Sequence, residues 1–135
     1  MWDCVEEMGR EGLLSAEERL RCTFSSGPRT QADMEAPFAD AGSFAGLTLE
    51  HVEVFDGPDP HWAAYQSHGD ALAYGRAQAD WCRAWAAPTL LAAIEPGRDR
   101  AALVDDFFRR LAARFAADPQ KNEFFLFLAV FTKAP

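Results

Sequence analysis

The sequence predicts an α+β fold that is mostly helical, with one antiparallel pair of strands near residues 47–55 and 123–132. Three observations support this. Residues 100–117 repeat apolar side chains at helical spacing, residues 47–55 alternate apolar and polar side chains, and residues 124–131 are apolar without a break. With 135 residues, of which 49% are hydrophobic, the chain is long enough for one domain with a core.

The N-terminal segment predicts two short helices. Residues 2–10 have an amphipathic pattern that would turn Trp2, Val5 and Met8 toward a core, and a glycine shortly afterwards is a typical stop signal. The second helix begins at Ser15-Ala-Glu-Glu18, which is typical of a capping box. In such a box the serine and the glutamate exchange hydrogen bonds with the backbone, so we expect a well-defined helix start here.

Residues 24–42 predict an irregular stretch and then a third helix. No regular pattern extends from Phe24 to Pro28, whereas Thr30-Gln-Ala-Asp33 has the composition of a helix start. Because Pro37 lies inside this segment, we expect the helix to be short or kinked. The residues expected on its apolar face are Met34, Phe38 and Ala41, with Gly42 at its end.

Residues 47–55, LTLEHVEVF, are the clearest strand. Apolar and polar side chains alternate, but the parity changes at His51, which indicates either a β-bulge or a strand buried on both faces. The apolar positions are Leu47, Leu49, Val52 and Val54. Residues 56–60, DGPDP, then predict a loop that is rich in turns.

Two longer helical regions follow. Residues 61–95 predict helix with breaks at Gly69 and Pro88. Asp99 is expected to cap a helix over residues 100–117, on which one apolar stripe opposes a charged one. The apolar residues at helical spacing are Tyr74, Ala77, Trp81 and Trp85 in the first region, and Val104, Phe107, Phe108, Leu111 and Phe115 in the second.

The charge and cysteine content disfavour several classes of function. The formal net charge is −8 and no basic stretch is present, so the sequence predicts neither a nucleic-acid partner nor a membrane partner. No apolar run approaches the roughly 20 residues that span a bilayer, and the N-terminus lacks the pattern of a secretory signal. Cys4, Cys22 and Cys82 are odd in number and lack CxxC spacing, which favours reduced thiols in a cytoplasmic protein.

The apolar run at residues 124–131 raises a problem for a chain of this size. A strand that is apolar on both faces belongs in the interior of a sheet, with helices above and below it. The chain offers one convincing partner strand, residues 47–55, and a two-stranded ribbon is marginal by itself and has two open edges. The sequence therefore predicts the end of a larger α/β sheet.

Several short motifs occur in a definite order along the chain. After the N-terminal helices come Gly42-Ser43-Phe44, a strand containing Leu49-Glu50, Arg83-Ala84, Pro88-Thr89-Leu90, and finally a last helix and a last hydrophobic strand. In this order, and over essentially its whole length, the chain resembles the C-terminal part of the SABATH-type S-adenosylmethionine-dependent carboxyl methyltransferases. The resemblance is greatest to the bacterial relatives of that family.

The resemblance implies a Rossmann-like methyltransferase fold with a helical cap. Residues 1–56 would be the C-terminal portion of the core, residues 57–118 the cap over the substrate, and residues 119–135 the final core strand. In the family fold the final strand is antiparallel and lies between two other strands, which would explain the apolar run. The implied reaction forms methyl esters of small, largely apolar carboxylic acids.

The sequence departs from the family because the N-terminal half is missing. That half holds the glycine-rich loop for S-adenosylmethionine and most of the groups that hold the carboxylate. GREG at residues 9–12 lacks the strand-to-helix context of such a loop. We therefore expect either a truncated or separately encoded C-terminal piece, or a misplaced coding start. Such a piece would bind no cofactor, would be inactive alone, and would have the N-terminal half as a partner.

The resemblance also implies a substrate-pocket wall. Trp81, Cys82 and Trp85 match positions that line the pocket in the family, and Phe124 at the start of the last strand is a further candidate. No catalytic, cofactor-binding or metal-binding residue is predicted. From the residues alone, the aromatic side chains of the cap could either exclude water above a carboxylic acid or pack the helices together. These side chains are Trp62, Tyr65, Trp81 and Trp85.

The other polar residues do not predict a site, and a second function stays open. His61 and His68 are seven residues apart, on either side of expected loop residues, and they lack the spacing of zinc ligands. Asp105 and Asp106 predict a solvated helix face. The alternative function is a non-catalytic ligand-binding or interaction module, in which a second copy of the chain would complete the sheet.

Overall fold

The computed structural model describes residues 1–24, 29–40 and 42–133, and within them the chain is α+β, as predicted. The elements are α1 (Trp2–Arg10), α2 (Ala16–Arg21), α3 (Gln31–Glu35), β1 (Leu47–Gly57), α4 (Pro60–His68), α5 (Ala71–Ala93), α6 (Arg100–Ala117) and β2 (Phe124–Lys133). A 3₁₀ turn at Ala36–Phe38 follows α3. The predicted antiparallel pair of strands is confirmed.

The chain divides into two compact units. The helical unit comprises residues 1–25 and 60–121, and the ribbon unit comprises residues 26–59 and 122–135. The first two helices therefore belong with the three later ones. The division predicted from the resemblance, at residues 56 and 118, concerns a larger fold and stays a prediction.

The core of the helical unit forms where α5 packs against α6. The predicted apolar stripe of α6 is confirmed, because Val104, Phe107, Phe108 and Leu111 are buried and Phe115 is partly buried. Gly75 lets the two helices approach closely, since a Cβ there would lie 2.3 Å from the carbonyl oxygen of Ala112. The predicted cap is also present, because the Asp99 side chain accepts a hydrogen bond from the Ala102 N–H at 3.0 Å.

Helix α1 has the predicted bounds but not the predicted inner face. Cys4, Val5 and Met8 are buried, whereas Trp2 is 51% exposed. The prediction for Trp2 was wrong because the three buried residues define the side of the helix that faces the core, and residue 2 lies outside that side. Gly12 follows the helix with φ at 75°, as a stop signal requires.

The predicted capping box anchors α2. The Ser15 side chain accepts from the Glu18 N–H, and the Glu18 carboxylate accepts from the Ser15 N–H at 2.8 Å. The same buried carboxylate accepts from the Glu95 N–H at 2.9 Å and pairs with Arg98, so it ties α2 to the segment between α5 and α6. Burial alone would raise the pKa of Glu18, but these hydrogen bonds together hold it below its usual value.

Of the two breaks predicted for the region of α4 and α5, the one at Gly69 is present and the one at Pro88 is not. Gly69, with φ at 68°, separates α4 from α5 as expected. Pro88, however, lies inside α5, so the predicted break there was wrong, and the Pro88-Thr89-Leu90 motif is helical. A proline in a helix interior costs about 3 kcal/mol, but the helix continues because its buried face runs on through Ala86 and Leu90.

The segment before β1 behaves as predicted where it is described. Thr30 caps α3, which is only five residues long, and Pro37 lies in the 3₁₀ turn that follows it. Met34 and Phe38 are half-buried. The predictions for Ala41 and for Ser25 to Pro28 lie outside the described residues.

The ribbon unit is built on the pairing of β1 with β2. The register shifts between Leu49 and His51, so the predicted β-bulge is confirmed, and Glu50 is the extra residue. Thr132 donates to the Glu50 carboxylate at 2.7 Å beside the bulge. The predicted loop at residues 56–60 is shorter than expected, because Gly57 still pairs in the sheet and α4 begins at Pro60. None of the described helices is long and apolar enough to cross a membrane.

Candidate functional site: the aromatic side of α5

Two of the predicted pocket residues form an exposed aromatic pair on α5. Trp81 and Trp85 lie one helical turn apart, and their rings meet edge to face with centroids 6.0 Å apart. Each side chain is 44% exposed. Because tryptophan is a large apolar side chain, a half-exposed pair of this kind leaves an apolar surface that a ligand or a covering segment could bury.

The other two predicted pocket residues are not part of this surface. Cys82 is 4% exposed and belongs to the core of the helical unit. Burial raises the pKa of its thiol, so the thiol is protonated and unreactive at neutral pH. Phe124 begins β2 in the ribbon unit, and its side chain lies outside the described part of the chain. The predicted four-residue wall is therefore brought together only at the two tryptophans.

A second aromatic group lies where α4 meets the start of α5. Trp62, Tyr65 and Tyr74 contact one another, with ring centroids 5.4 to 6.1 Å apart. The Tyr74 hydroxyl donates to the carbonyl of Gln120, which fixes that ring at the end of the helical unit. The aromatic residues of the cap thus fall into two groups. Trp62, Tyr65 and Tyr74 pack helices together, whereas the pair on α5 is exposed.

A cleft of about 310 Å³ opens between α4 and α5 beside this group. Its lining consists of His61, Ala64, Tyr65, His68, Asp70, Ala73, Tyr74 and Ala77. The two histidines are the second and the last residue of α4, so the residues between them are helical and not a loop, and seven residues of helix separate them by roughly 10 Å. That distance is too long for one metal ion, and no group of three metal-ligating side chains occurs in the described ranges. The cleft can hold an apolar ring between alanine and tyrosine side chains.

The charged face of α6 is more organised than the sequence suggested. Asp105 accepts from Arg83 at 2.7 Å, and the Arg83 guanidinium lies 4.6 Å from the centre of the Phe108 ring. Asp106 pairs with Arg109 and with Arg110, the latter at 2.8 Å. The i, i+3 and i, i+4 spacing of Asp106 from these arginines was the signal that could have identified the pairs.

An ion network also connects α6 to α1. Arg110 binds Glu7 at 2.7 Å and Glu11 at 2.6 Å, and Arg114 binds Glu7 at 2.6 Å. The hydrogen bond from Arg114 is the largest cause of the lowered pKa of Glu7. The hydrogen bond from Arg110 is the largest cause of the lowered pKa of Glu11. These charges satisfy one another within the helical unit, so they position helices rather than form a reactive site.

The α4–α5 cleft and the tryptophan pair further along α5 are taken as the candidate site, because aromatic and alanine side chains dominate them. Two other clefts of the helical unit, of about 440 Å³ each, carry more charged side chains in their linings. Nothing in this site has the arrangement of an acid–base pair or a nucleophile with its base. It is suited to binding an apolar molecule. The sequence matches no protein-family model, and no curated protein matches it either.

Proposed function

We propose that this chain is the C-terminal, substrate-capping part of an S-adenosylmethionine-dependent methyltransferase that forms methyl esters of small apolar carboxylic acids. The observation that carries the proposal is that β2, an apolar strand, has a paired strand on one edge only in the part of the chain that the structure describes. Its residues are apolar on both faces, yet within the described residues it has β1 as its one neighbour. A strand of this composition belongs between two others in a covered sheet.

The exposure of β2 supports the proposal further. Phe125 is 58% exposed, Leu128 is 49% exposed and Val130 is 46% exposed. Phe125 and Leu128 lie on opposite faces of the strand because side chains alternate. Both faces of β2 therefore keep exposed apolar surface, although the Phe38 ring contacts Phe131 on one of them, with ring centroids 5.7 Å apart. The absence of further strands and helices of a methyltransferase sheet would leave such exposure. The antiparallel pairing with β1 and the long helical connection between the two strands are also what the resemblance implies.

The helical unit would act as the cap in this proposal. Methyl transfer to a carboxylate is a displacement at the sulfonium methyl, so the enzyme must align two partners and keep water out, with little acid–base chemistry. Trp81 and Trp85 would close over the apolar body of the acid. S-adenosylmethionine would be held by the remaining half of the fold, since GREG at residues 9–12 lies at the end of α1 and not after a strand.

The expected partners follow from the same proposal. The chain would work with an N-terminal cofactor-binding half, either in one longer polypeptide or as a separate subunit. We also propose a cytoplasmic location. The three cysteines are unpaired and buried, and burial raises the pKa of each thiol, which suits a reducing compartment.

The test begins with the DNA beside the coding segment, which should encode an in-frame glycine-rich cofactor loop. The longer polypeptide, or the chain with its companion half, should then transfer labelled methyl groups from S-adenosylmethionine to small apolar acids. Replacing both Trp81 and Trp85 by alanine should lower kcat/KM by about tenfold or more, since each aromatic contact is worth about 1 kcal/mol or more. Trp2→Ala is the matched control, because Trp2 is also half exposed but lies on α1.

Two results would refute the proposal. The first is methyl transfer, or tight binding of S-adenosylmethionine, by the 135 residues alone. The second is found in a longer polypeptide that binds the cofactor. In it, turnover would be unchanged by the double tryptophan replacement but lowered by Trp2→Ala. Circular dichroism would show whether a variant has lost activity because it no longer folds. In that case both tryptophans would be changed to phenylalanine instead of alanine.

A further inference from the structure

The two strands of the ribbon differ in how their edges are protected. β1 carries charged or ionisable side chains along its length, namely Glu50, His51, Glu53 and Asp56. β2 carries none from Phe124 to Phe131. Charges on an edge strand prevent the addition of another strand, and their absence permits it. The sequence of β2 is therefore that of a strand which accepts a further neighbour, whereas β1 is a protected edge.

The side chains of β2 would pair well with those of a second β2. An antiparallel pair centred on Leu128 places Leu126 opposite Val130 of the other copy and Phe127 opposite Ala129. Each pair then joins a larger to a smaller apolar side chain, and Leu128 meets its own copy at the centre. Because side chains alternate with a period of two, this register keeps each face of the ribbon continuous across the pair.

We propose that the free edge of β2 pairs with β2 of a second copy of this chain, giving a four-stranded antiparallel sheet around a twofold axis. The order of strands would be β1, β2, then β2 and β1 of the second copy. The interface is isologous, since the same edge is used on both chains. This proposal concerns the 135-residue chain by itself, and the second copy would occupy the same edge of β2 that the proposed methyltransferase sheet would use.

The side chains of β2 have apolar surface that a neighbouring strand would cover in part. Five large side chains of β2 are 41% to 58% exposed, namely Phe125, Leu126, Leu128, Val130 and Phe131. A strand added at the edge covers only the flanks of these side chains, and backbone hydrogen bonds supply much of the attraction. The buried area is therefore below the roughly 800 Å² per partner of a standard stable interface. We expect a dimer that dissociates on dilution in the micromolar range.

The charges of the chain determine both where the assembly stops and how it depends on salt. After two copies have paired, the outer edges of the sheet are the two β1 strands, which carry Glu50, Glu53 and Asp56. Like charges on both outer edges oppose further addition, so the assembly closes at two. Each copy has a net charge of −8. Screening of this repulsion by salt should strengthen the dimer.

The test is sedimentation equilibrium of the whole chain from about 1 to about 200 µM, at about 0.05 M and about 0.5 M NaCl. Leu128→Lys places a charge at the centre of the interface and should weaken the dimer by about tenfold or more. Phe55→Lys is the matched control. Phe55 is 43% exposed, Leu128 is 49% exposed, and both side chains lie on the same face of the ribbon. Phe55→Lys adds the same charge, but on β1. It should leave dimerisation within about twofold of the unmodified chain.

A crosslinking variant gives a second readout that does not depend on weakening the protein. The native cysteines are buried, so Leu128→Cys adds the one exposed thiol of the described residues. Mild oxidation should join two copies through this position, whereas Phe55→Cys should give no specific crosslink. A folded monomer at all concentrations, a dimer that Leu128→Lys does not weaken, or growth beyond two copies would each overturn the proposal.

Discussion

The helical unit and the ribbon unit differ in how completely they bury their apolar side chains. Every buried apolar side chain of the described residues belongs to the helical unit, where Phe107 is 1% exposed. In the ribbon unit Phe125 of β2 is 58% exposed. Phenylalanine is equally apolar in both places. What differs is the number of neighbouring elements that each geometry requires.

An amphipathic helix needs cover on one stripe, and a central strand needs cover on two faces and two edges. Helix α6 presents a single apolar stripe, which α5 and α1 can cover within one chain. β2 presents apolar residues on both faces, and β1 supplies one edge only. The comparison shows that the helical unit buries its apolar side chains within one core, whereas the ribbon unit leaves those of β2 half exposed.

The largest expected effect is the contrast between two phenylalanine truncations. Phe107→Ala removes a buried ring and should lower the free energy of unfolding by about 3 to 5 kcal/mol. Phe125→Ala, in dilute monomer, should lower it by less than about 1 kcal/mol, because the ring is already half solvated. Urea denaturation of both variants provides the measurement. Equal losses would remove the distinction between the two units.

Replacing Glu18 tests the anchor that ties α2 into the helical unit. Glu18→Gln should lower the free energy of unfolding by about 2 to 3 kcal/mol at neutral pH, because it leaves Arg98 and buried N–H groups poorly satisfied. Glu17→Gln, at the exposed neighbouring position, is the control and should change stability by less than about 0.5 kcal/mol.

The same carboxylate predicts a pH dependence of known sign. The pKa of Glu18 is lowered in the folded protein, so its contribution is fully present above the unfolded value of about 4.3 and is lost as the pH falls through the folded pKa. The stability gap between the unmodified chain and Glu18→Gln should therefore narrow below about pH 4.5. A gap that stays constant down to acid unfolding would contradict this assignment.

The smallest expected effect is a gain in stability at Pro88. Pro88→Ala restores a backbone N–H inside α5 and removes a ring that crowds the preceding turn, and it should raise the free energy of unfolding by about 1 to 2 kcal/mol. The gain is smaller than the full cost of a helical proline because alanine is freer in the unfolded chain. Thermal unfolding measures it. A loss of stability would mean that the proline has a packing role in the helical unit.

Most of the fold could be predicted because most of its signals are local. The capping residues Ser15 and Asp99, the bulge near His51 and the stripe of α6 all depend on residues within a few positions of one another. The exposure of Trp2 and the helical position of Pro88 could not be predicted, because both depend on tertiary packing. The arc of α1 that faces the core and the continuation of α5 past a proline depend on what the other helices cover.

The candidate site was predicted only in part for the same reason. Trp81 and Trp85 share an exposed side of α5, but Cys82 points into the core, since adjacent helical residues lie about 100° apart. Tyr74 belongs to the cleft wall, which the sequence indicated only through its helical spacing from the tryptophans. The cleft itself depends on the angle between α4 and α5, which no local pattern specifies.

Hydrogen–deuterium exchange in dilute monomer tests the central claim, that the ribbon unit lacks the neighbours its apolar strand needs. At concentrations well below dimer formation, amides of residues 124–133 should exchange at least about a hundredfold faster than those of residues 104–111 in α6. At high concentration, or with an added strand partner, β2 should become protected while α6 stays unchanged. Equal protection of both segments in the dilute monomer would contradict the account.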